Sequence, residues 1–277
     1  MPKSNKVIDD FGEEWERFDF TNEEQLTALK SQFERYVEPL PKNFFEGEKK
    51  VIADFGAGTS RWSYFFKDYA LELYVIEPSL KAFKVAKNKL SRFSHVTLLN
   101  QSVESNEIQE SSLDLAVSLG VLHHIQDTGQ AIKDISSKIK PGGMFLCYLY
   151  YALDNKPFAY RLLWKSSDVL RKSISNMPKK LKTFLTDLIA IFIYFPLART
   201  SLFLKKLGVS TKNFPLHHYE NLSFYVMRND ALDRFGTTLE QRFTQSQIVE
   251  MLREAGFTGY KFSEREPFWT FTATKKS

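Results

Sequence analysis

Between residues 50 and 151 the sequence alternates two kinds of segment, and this alternation restricts the fold more than any other feature. "KVIADF", "ELYVIEPS", "VTLLNQS", "LDLAVSLGVL" and "GGMFLCYLYY" are apolar, strand-forming runs. "RWSYFFKDY", "LKAFKVAKNKL" and "GQAIKDISSKI" fall between them with helical periodicity. Strands that are apolar throughout are covered on both faces, and strand–helix–strand succession makes a parallel sheet with right-handed crossovers. The fifth strand is expected to enter through a Pro141-Gly142-Gly143 turn. Ahead of the sheet, Thr21 and Glu24 form a capping-box pattern. Leu26, Leu29, Phe33 and Val37 then recur at helical spacing until Pro39 and Pro41, which predicts an N-terminal helix.

The 277 residues, 43% of them hydrophobic and 15% aromatic, suffice for one large domain or two modest ones, and no repeat or low-complexity tract divides them. Cys147 is the only cysteine, so no intramolecular disulfide can form. The N-terminal residues carry no apolar signal core, and the sequence predicts a cytoplasmic protein. The longest apolar run, "LIAIFIYFPLA" (Leu188 to Ala198), is shorter than the roughly 20 residues that cross a bilayer and contains Pro196, so no membrane span is predicted there. The net charge of +5 is unevenly spread. Residues 156–212 hold twelve Lys or Arg against two Asp, a local charge of +10, which leaves −5 for the rest.

In a parallel sheet the chemistry lies at the carboxyl ends of the strands. The first strand runs into "VIADFGAGTS", where Gly56 and Gly58 permit a tight turn and close backbone approach, and Ser60 and Arg61 follow where further glycines would be expected. A G-x-G step alone is also explained by the steric needs of a strand-to-helix turn. Glu77, however, ends the second strand 19 residues after Gly58, near the offset at which an acidic side chain accepts from a ribose diol. The competing reading is a solvated loop carboxylate, but Pro78 and Ser79 make a rigid strand exit.

"IADFGAGTSRW", "YVIEPS", "NQSVES", "LDLAVSLGVLHHIQD" and "IKPGGMFLCYL" together resemble, in order and spacing, the signature segments of class I S-adenosylmethionine-dependent methyltransferases. "FTQSQIVEMLREAGFTGYKFSEREPFWTFTATKK" resembles that family's last helix and closing hairpin. The resemblance implies an α/β fold: a Rossmann-like, doubly wound, mostly parallel seven-stranded sheet with an antiparallel C-terminal hairpin and an α-helical lid insertion. The implied domains are an N-terminal helical arm (1–47), a cofactor-binding core (48–151), the lid or acceptor-recognition insertion (152–242), and a C-terminal helix and hairpin completing the core (243–277).

The resemblance also implies roles. Asp54 turns toward the amino acid part of S-adenosylmethionine, and Gly56, Ala57 and Gly58 approach its methionine and ribose portions. Glu77, with Pro78 after it, takes the ribose diol; Ser102 and Val103 frame the adenine in place of the family's frequent Asp; Leu119 packs near the methionine chain. Ser60 departs from the pattern of a third glycine. That loss speaks against a dinucleotide, whose pyrophosphate needs the close helix–strand packing, more than against a sulfonium donor.

Methyl transfer requires alignment, exclusion of water and, for a hydroxyl acceptor, a base. His123 and His124, just past the fourth strand, are the candidate bases, with helix capping or packing as the alternative reading. Tyr150, Tyr151, His217, His218 and Arg228 are candidate acceptor contacts. Arg228 lies in a charged cluster for which mutual ion pairs are the default explanation. No carboxylate or cysteine pattern supports a metal. In the insertion, Leu181, Phe184, Leu185, Leu188, Ile189 and Phe192 mark one helical face beside Lys179, Lys180 and Lys182. Such a face is compatible with a solvated surface, an anionic acceptor or anionic lipid. Trp15 or Phe18 is expected to close the pocket from the N-terminal arm. The expected activity is methylation, at oxygen, of a small-molecule or glycan-type acceptor, anionic or lipid-linked; nucleic acid is not expected, peripheral membrane contact is open, and oligomeric state is open. An NAD(P)-dependent oxidoreductase and a catalytically silent nucleotide-binding protein are the alternatives.

Overall fold

The computed structural model describes residues 23–152, 157–211, 214–265 and 269–277, together with residue 8. Thr21, Trp15 and Phe18, and with them the capping box and the closing arm, lie outside the described residues. The chain divides into two compact units, one formed by Met1–Ala152 with Leu239–Ser277 and the other by Leu153–Thr238.

The first unit is built on a seven-stranded sheet in the order β3-β2-β1-β4-β5-β7-β6. Its strands are β1 (Lys50–Phe55), β2 (Ala70–Ile76), β3 (Val96–Leu99), β4 (Leu113–Leu119), β5 (Ile139–Tyr148), β6 (Phe257–Phe262) and β7 (Thr270–Lys275). β1 to β5 pair in parallel, and β7 runs antiparallel between β5 and β6. The helices are α1 (Glu23–Val37), α2 (Ser63–Phe66), α3 (Leu80–Leu90), α4 (Thr128–Lys138) and, after the second unit, α9 (Gln245–Glu254). The helical stretch predicted after β1 is a single turn.

Phe55, Phe145, Phe257 and Phe271 are fully buried, each contributing about 1.5–3 kcal/mol by leaving water. Phe145 stacks on Phe257 (5.6 Å) and meets Phe271 edge-on (6.0 Å). Cys147, opposite Phe271 in the ladder, is buried among them. In α1, Leu29, Phe33 and Tyr36 form the buried face, and Phe33 stacks on Phe65 at 5.0 Å. Thr244 and Gln247 exchange the two bonds of a capping box that starts α9.

Two boundaries differ from the sequence prediction. β5 begins at Ile139, and Pro141-Gly142-Gly143 is an irregularity within it: pairing with β4 jumps from Leu113↔Ile139 to Leu115↔Met144. Gly142 takes φ +78°, which lets the strand bulge without breaking. The insertion ends at Thr238 instead of residue 242, because residues 239–243 hydrogen-bond back to the first unit: Gln241 N–H donates to the His123 carbonyl and Phe243 N–H to the Tyr150 carbonyl, each at 2.9 Å.

The second unit comprises α5 (Phe158–Ser175), α6 (Lys179–Ile189), a π-helical turn (Ala190–Tyr194), α7 (Phe195–Lys206) and α8 (Phe224–Gly236). α6, the π turn and α7 form one continuous helix of 28 residues, Lys179–Lys206, with a window of mean hydropathy 1.6. The helix therefore extends well beyond the 11-residue apolar run Leu188 to Ala198. Pro196 does not end the helix, because Phe195 N–H donates five residues back to the Ala190 carbonyl and the widened turn accommodates the missing proline donor. Ile174, Ile189, Tyr194, Met227, Ala231 and Phe235 belong to this unit's own core.

Candidate active site

β1 and β4 are adjacent, while β2 lies on the far side of β1 and β5 on the far side of β4. Such a switch point opens a crevice at the carboxyl ends of the strands, and the candidate side chains converge there.

Asp54, near the end of β1, is buried and accepts from Ser63 Oγ at 2.5 Å. Burial pushes its carboxyl up to about 6, against the pull of the Ser63 bond and the Arg61 charge. The following loop takes left-handed φ at every second residue: Gly56 +76°, Gly58 +56° and Ser60 +61°. At Gly56 glycine is also required by space, since a Cβ would sit 2.4 Å from Val121 Cγ1. Val121 follows β4 and precedes the histidines, so this contact locks the loop after β1 to the turn after β4. Ser60 holds the backbone conformation that a third glycine would take, so the departure seen in the sequence changes the side chain and keeps the loop path. Ser60 Oγ and Thr59 Oγ1 are buried with no hydrogen-bond partner among the described residues.

Glu77, just past β2, uses both carboxylate oxygens. Oε2 accepts the Gly58 N–H and Oε1 the Ser79 N–H, each at 2.8 Å. Burial raises its pKa to about 7; the two backbone donors oppose this and the Asp54 charge adds to it. Asn100, after β3, donates to the Glu77 (2.8 Å) and Pro78 (3.1 Å) carbonyls and fixes that strand exit. Ser102 and Val103 have their carbonyls held by Asn106 Nδ2 (3.3 and 2.8 Å). Val103 and Leu119 are buried.

β4 ends at Leu119, and Leu122–His124 form a 3-10 turn. His124 Nδ1 lies 2.7 Å from the Leu239 carbonyl. A carbonyl only accepts, so Nδ1 carries the proton, and in the neutral ring Nε2 is the basic atom. His123 is fully buried and stacked on Tyr150 (3.7 Å, 24°), and neither ring nitrogen has a partner among the described residues. Burial, then the neighbouring His124 and Arg242, hold its pKa well below the usual histidine value, so the ring is neutral. The Arg242 guanidinium lies over the Tyr150 ring (4.9 Å) and donates to Glu240 Oε1 (2.8 Å). Gln241 Nε2 donates to the Ile125 carbonyl and to Thr128 Oγ1 (2.5 and 3.3 Å), binding the 239–243 segment to the histidine turn.

Aromatic rings continue the wall. Tyr148 lies 5.8 Å from Tyr150 and 5.5 Å from Tyr36 of α1, and Tyr36 meets Trp62 edge-on at 5.1 Å. Tyr36, in the described part of the N-terminal region, thus links Trp62, just past the loop after β1, to β5. Tyr151 packs differently from Tyr150, with its ring against Trp269 at 6.2 Å. The remaining acceptor candidates belong to the second unit. His217 Nδ1 donates to the Phe214 carbonyl (3.2 Å), His218 is exposed against Tyr219, and Arg228 makes a two-pronged ion pair with Asp187 (3.1 and 2.9 Å). Among the described residues no group of three or more His, Cys, Asp and Glu side chains converges as a metal site.

Sequence reasoning passed over Ser63, Asn100, Tyr36, Trp62, Tyr148, Glu240 and Gln241. Asn100 carried a signal, since it follows a strand at its carboxyl end. Arg242 is near Arg228 in sequence but joins Tyr150 in the first unit, whereas Arg228 belongs to the second.

Residues 53–147 match the model of a family described as a methyltransferase domain. No curated protein matches the sequence. Among solved structures, an S-adenosylmethionine-dependent methyltransferase from Thermotoga maritima is similar at 14% identity and a TM-score of 0.51, covering 96% of this chain and 100% of that one. The 1,6-didemethyltoxoflavin-N1-methyltransferase of Burkholderia thailandensis, solved with 1,6-didemethyltoxoflavin and S-adenosylhomocysteine bound, is similar at 14% identity and a TM-score of 0.51, covering 99% of this chain and 89% of that one. At such identity the likeness is one of fold. The sheet order, the antiparallel β7 and the matched domain together define a class I S-adenosylmethionine-dependent methyltransferase. The chain carries that enzyme's catalytic domain from β1 to β5.

Proposed function

We propose that this enzyme, acting in the cytoplasm, methylates an oxygen of a small-molecule or glycan-type acceptor, anionic or lipid-linked, with His124 as the base. The observation that carries the reading is the Nδ1–H bond from His124 to the Leu239 carbonyl, which fixes the tautomer and makes Nε2 the basic atom of the ring. His123, neutral and stacked on Tyr150, shapes the same wall and offers ring nitrogens to a polar acceptor.

The cofactor fits the residues present. Two buried carboxylates, Asp54 and Glu77, suit a ligand that brings an ammonium and a diol, and the unpartnered Thr59 and Ser60 hydroxyls offer further polar contacts. S-adenosylmethionine supplies a methyl group already made electrophilic by its sulfonium. In this reading Asp54 takes the amino group, Glu77 the ribose diol, the 56–58 backbone the methionine and ribose portions, and Ser102 and Val103 the adenine. The rings of Tyr36, Trp62, Tyr148 and Tyr150 form a wall that excludes water and favours positive charge at their faces.

Incubation with methyl-labelled S-adenosylmethionine and an extract split into small molecules, nucleotide sugars, lipid-linked glycans, proteins and nucleic acid tests the acceptor class. Label in a small-molecule or glycan fraction, strongly reduced in His124→Asn, supports the reading. Label confined to protein or nucleic acid, or a His124→Asn enzyme with wild-type turnover, overturns it.

A further inference from the structure

The second unit wears its apolar side outward. Among the described residues, 13 of the 16 large hydrophobic side chains that are exposed lie between Leu153 and Thr238. The helix Lys179–Lys206 shows the inversion most clearly. Its inward face carries Lys182, Thr186, Ala190, Tyr194, Ala198 and Ser201, all buried. Its outward face carries Leu181, Phe184, Phe192, Phe195 and Phe203, with Phe192 71% exposed. Of the face marked as apolar by its sequence spacing, Leu181, Phe184 and Phe192 are turned outward, whereas Ile189 and Leu185 pack into the unit's core. A helix that meets only water has the opposite distribution. α5 repeats the theme: Phe158 (73% exposed), Leu162 and Val169 share one side with the exposed Arg161, Lys165 and Lys172.

We infer that this unit docks on an anionic lipid surface, laying the outer faces of α5, α6 and α7 into the headgroup–acyl boundary. Charge selects the occupant. The apolar stripes are bracketed by Lys179 and Lys180 at one end of the long helix and Lys205 and Lys206 at the other, within a segment of net charge +10. Negative headgroups complement that field, whereas an isologous second copy would oppose it with the same positive charge. The helix lies in the interface instead of crossing it. Asp187 and Arg199 sit in its middle, and Asp187 is paired with Arg228 of α8 while Arg199 Nη1 donates to the Glu220 carbonyl (2.8 Å), so spanning would carry charged side chains and their protein partners into hydrocarbon. The inference is independent of which atom the enzyme methylates.

The test is co-sedimentation of the full-length enzyme with phosphatidylcholine vesicles, with and without phosphatidylglycerol, at low and high salt. The wild type is expected to pellet with the anionic vesicles and to be released by salt. Phe184→Ser/Phe192→Ser/Phe195→Ser should lower the partition coefficient at least ~10-fold, three large apolar groups being withdrawn from the interface. Lys179→Glu/Lys180→Glu should weaken binding to anionic vesicles alone, and it carries the test if the triple variant does not fold. Both variants should keep wild-type thermal stabilisation by S-adenosylhomocysteine, so failure here and failure of the cofactor reading are separable. Wild-type enzyme left in the supernatant with both vesicles, or a solution dimer that the phenylalanine substitutions dissociate, overturns the inference.

Discussion

Glu77 Oε2 accepts the backbone N–H of Gly58 at 2.8 Å, so the side chain assigned to the ribose also braces the loop assigned to the rest of the cofactor. Its raised pKa gives this bond a pH signature. In the folded chain Glu77 titrates near 7 and Asp54 near 6, while in the unfolded chain both ionise at ordinary carboxylate values of 4.5 and 3.8. Between those limits the native state binds more protons than the unfolded state, so stability of the ligand-free enzyme falls as pH rises. Thermal melts from about pH 5 to about pH 8 should show this decline, and Glu77→Gln should flatten it. S-adenosylhomocysteine affinity should rise over the same range, because a diol donates to the ionised carboxylate. A wild-type melting temperature that climbs through this window would contradict the assignment.

Gly56→Ala should disable the enzyme through packing. The new methyl would meet Val121 at 2.4 Å on a backbone with φ +76°. Overpacking and left-handed strain together cost about 2–5 kcal/mol. Val121→Ala in the same chain should restore part of the loss, and chemical denaturation of the single and double variants measures it.

Ser60→Gly should separate stability from binding. Glycine relieves a left-handed residue and removes a buried hydroxyl with no partner among the described residues, a gain of about 1 kcal/mol after glycine's extra chain entropy. The melting temperature should rise slightly while S-adenosylhomocysteine affinity, read by calorimetry, weakens.

The two histidines should behave differently. His124→Asn should lower kcat by ~10²–10⁴. His123→Phe keeps the ring stacked on Tyr150 and deletes two buried nitrogens that have no partner among the described residues, so stability should hold or increase. Equal losses of kcat in both variants would argue against a single base at His124.

The sheet was legible because its strands are apolar on both faces and the helices between them are amphipathic, a contrast that survives without tertiary information. Asp54, Gly56 and Glu77 were legible for a related reason: each sits at a fixed offset from a strand end. The Tyr36–Tyr148–Tyr150–His123 wall was not, because its rings come from α1, β5 and the turn after β4, which only the folded sheet brings together. Nor could local spacing tell that Leu181, Phe184 and Phe192 of the apolar stripe face outward while Ile189 turns in. Periodicity finds a face, but the direction in which it points depends on the partner helix α8, whose Met227, Ala231 and Phe235 belong to the core with Ile189, Ala190 and Tyr194.

Cys147 gives the molecule a practical property. The chain's only thiol is sealed inside β5 beside Phe145 and Phe271, and burial pushes its pKa far above the usual thiol value. The native enzyme should therefore resist thiol-directed reagents at neutral pH. A cysteine introduced at an outward position such as Phe192 or Phe158 would be the single reactive sulfur, and an environment-sensitive dye attached there would report the polarity of whatever surface that side chain meets.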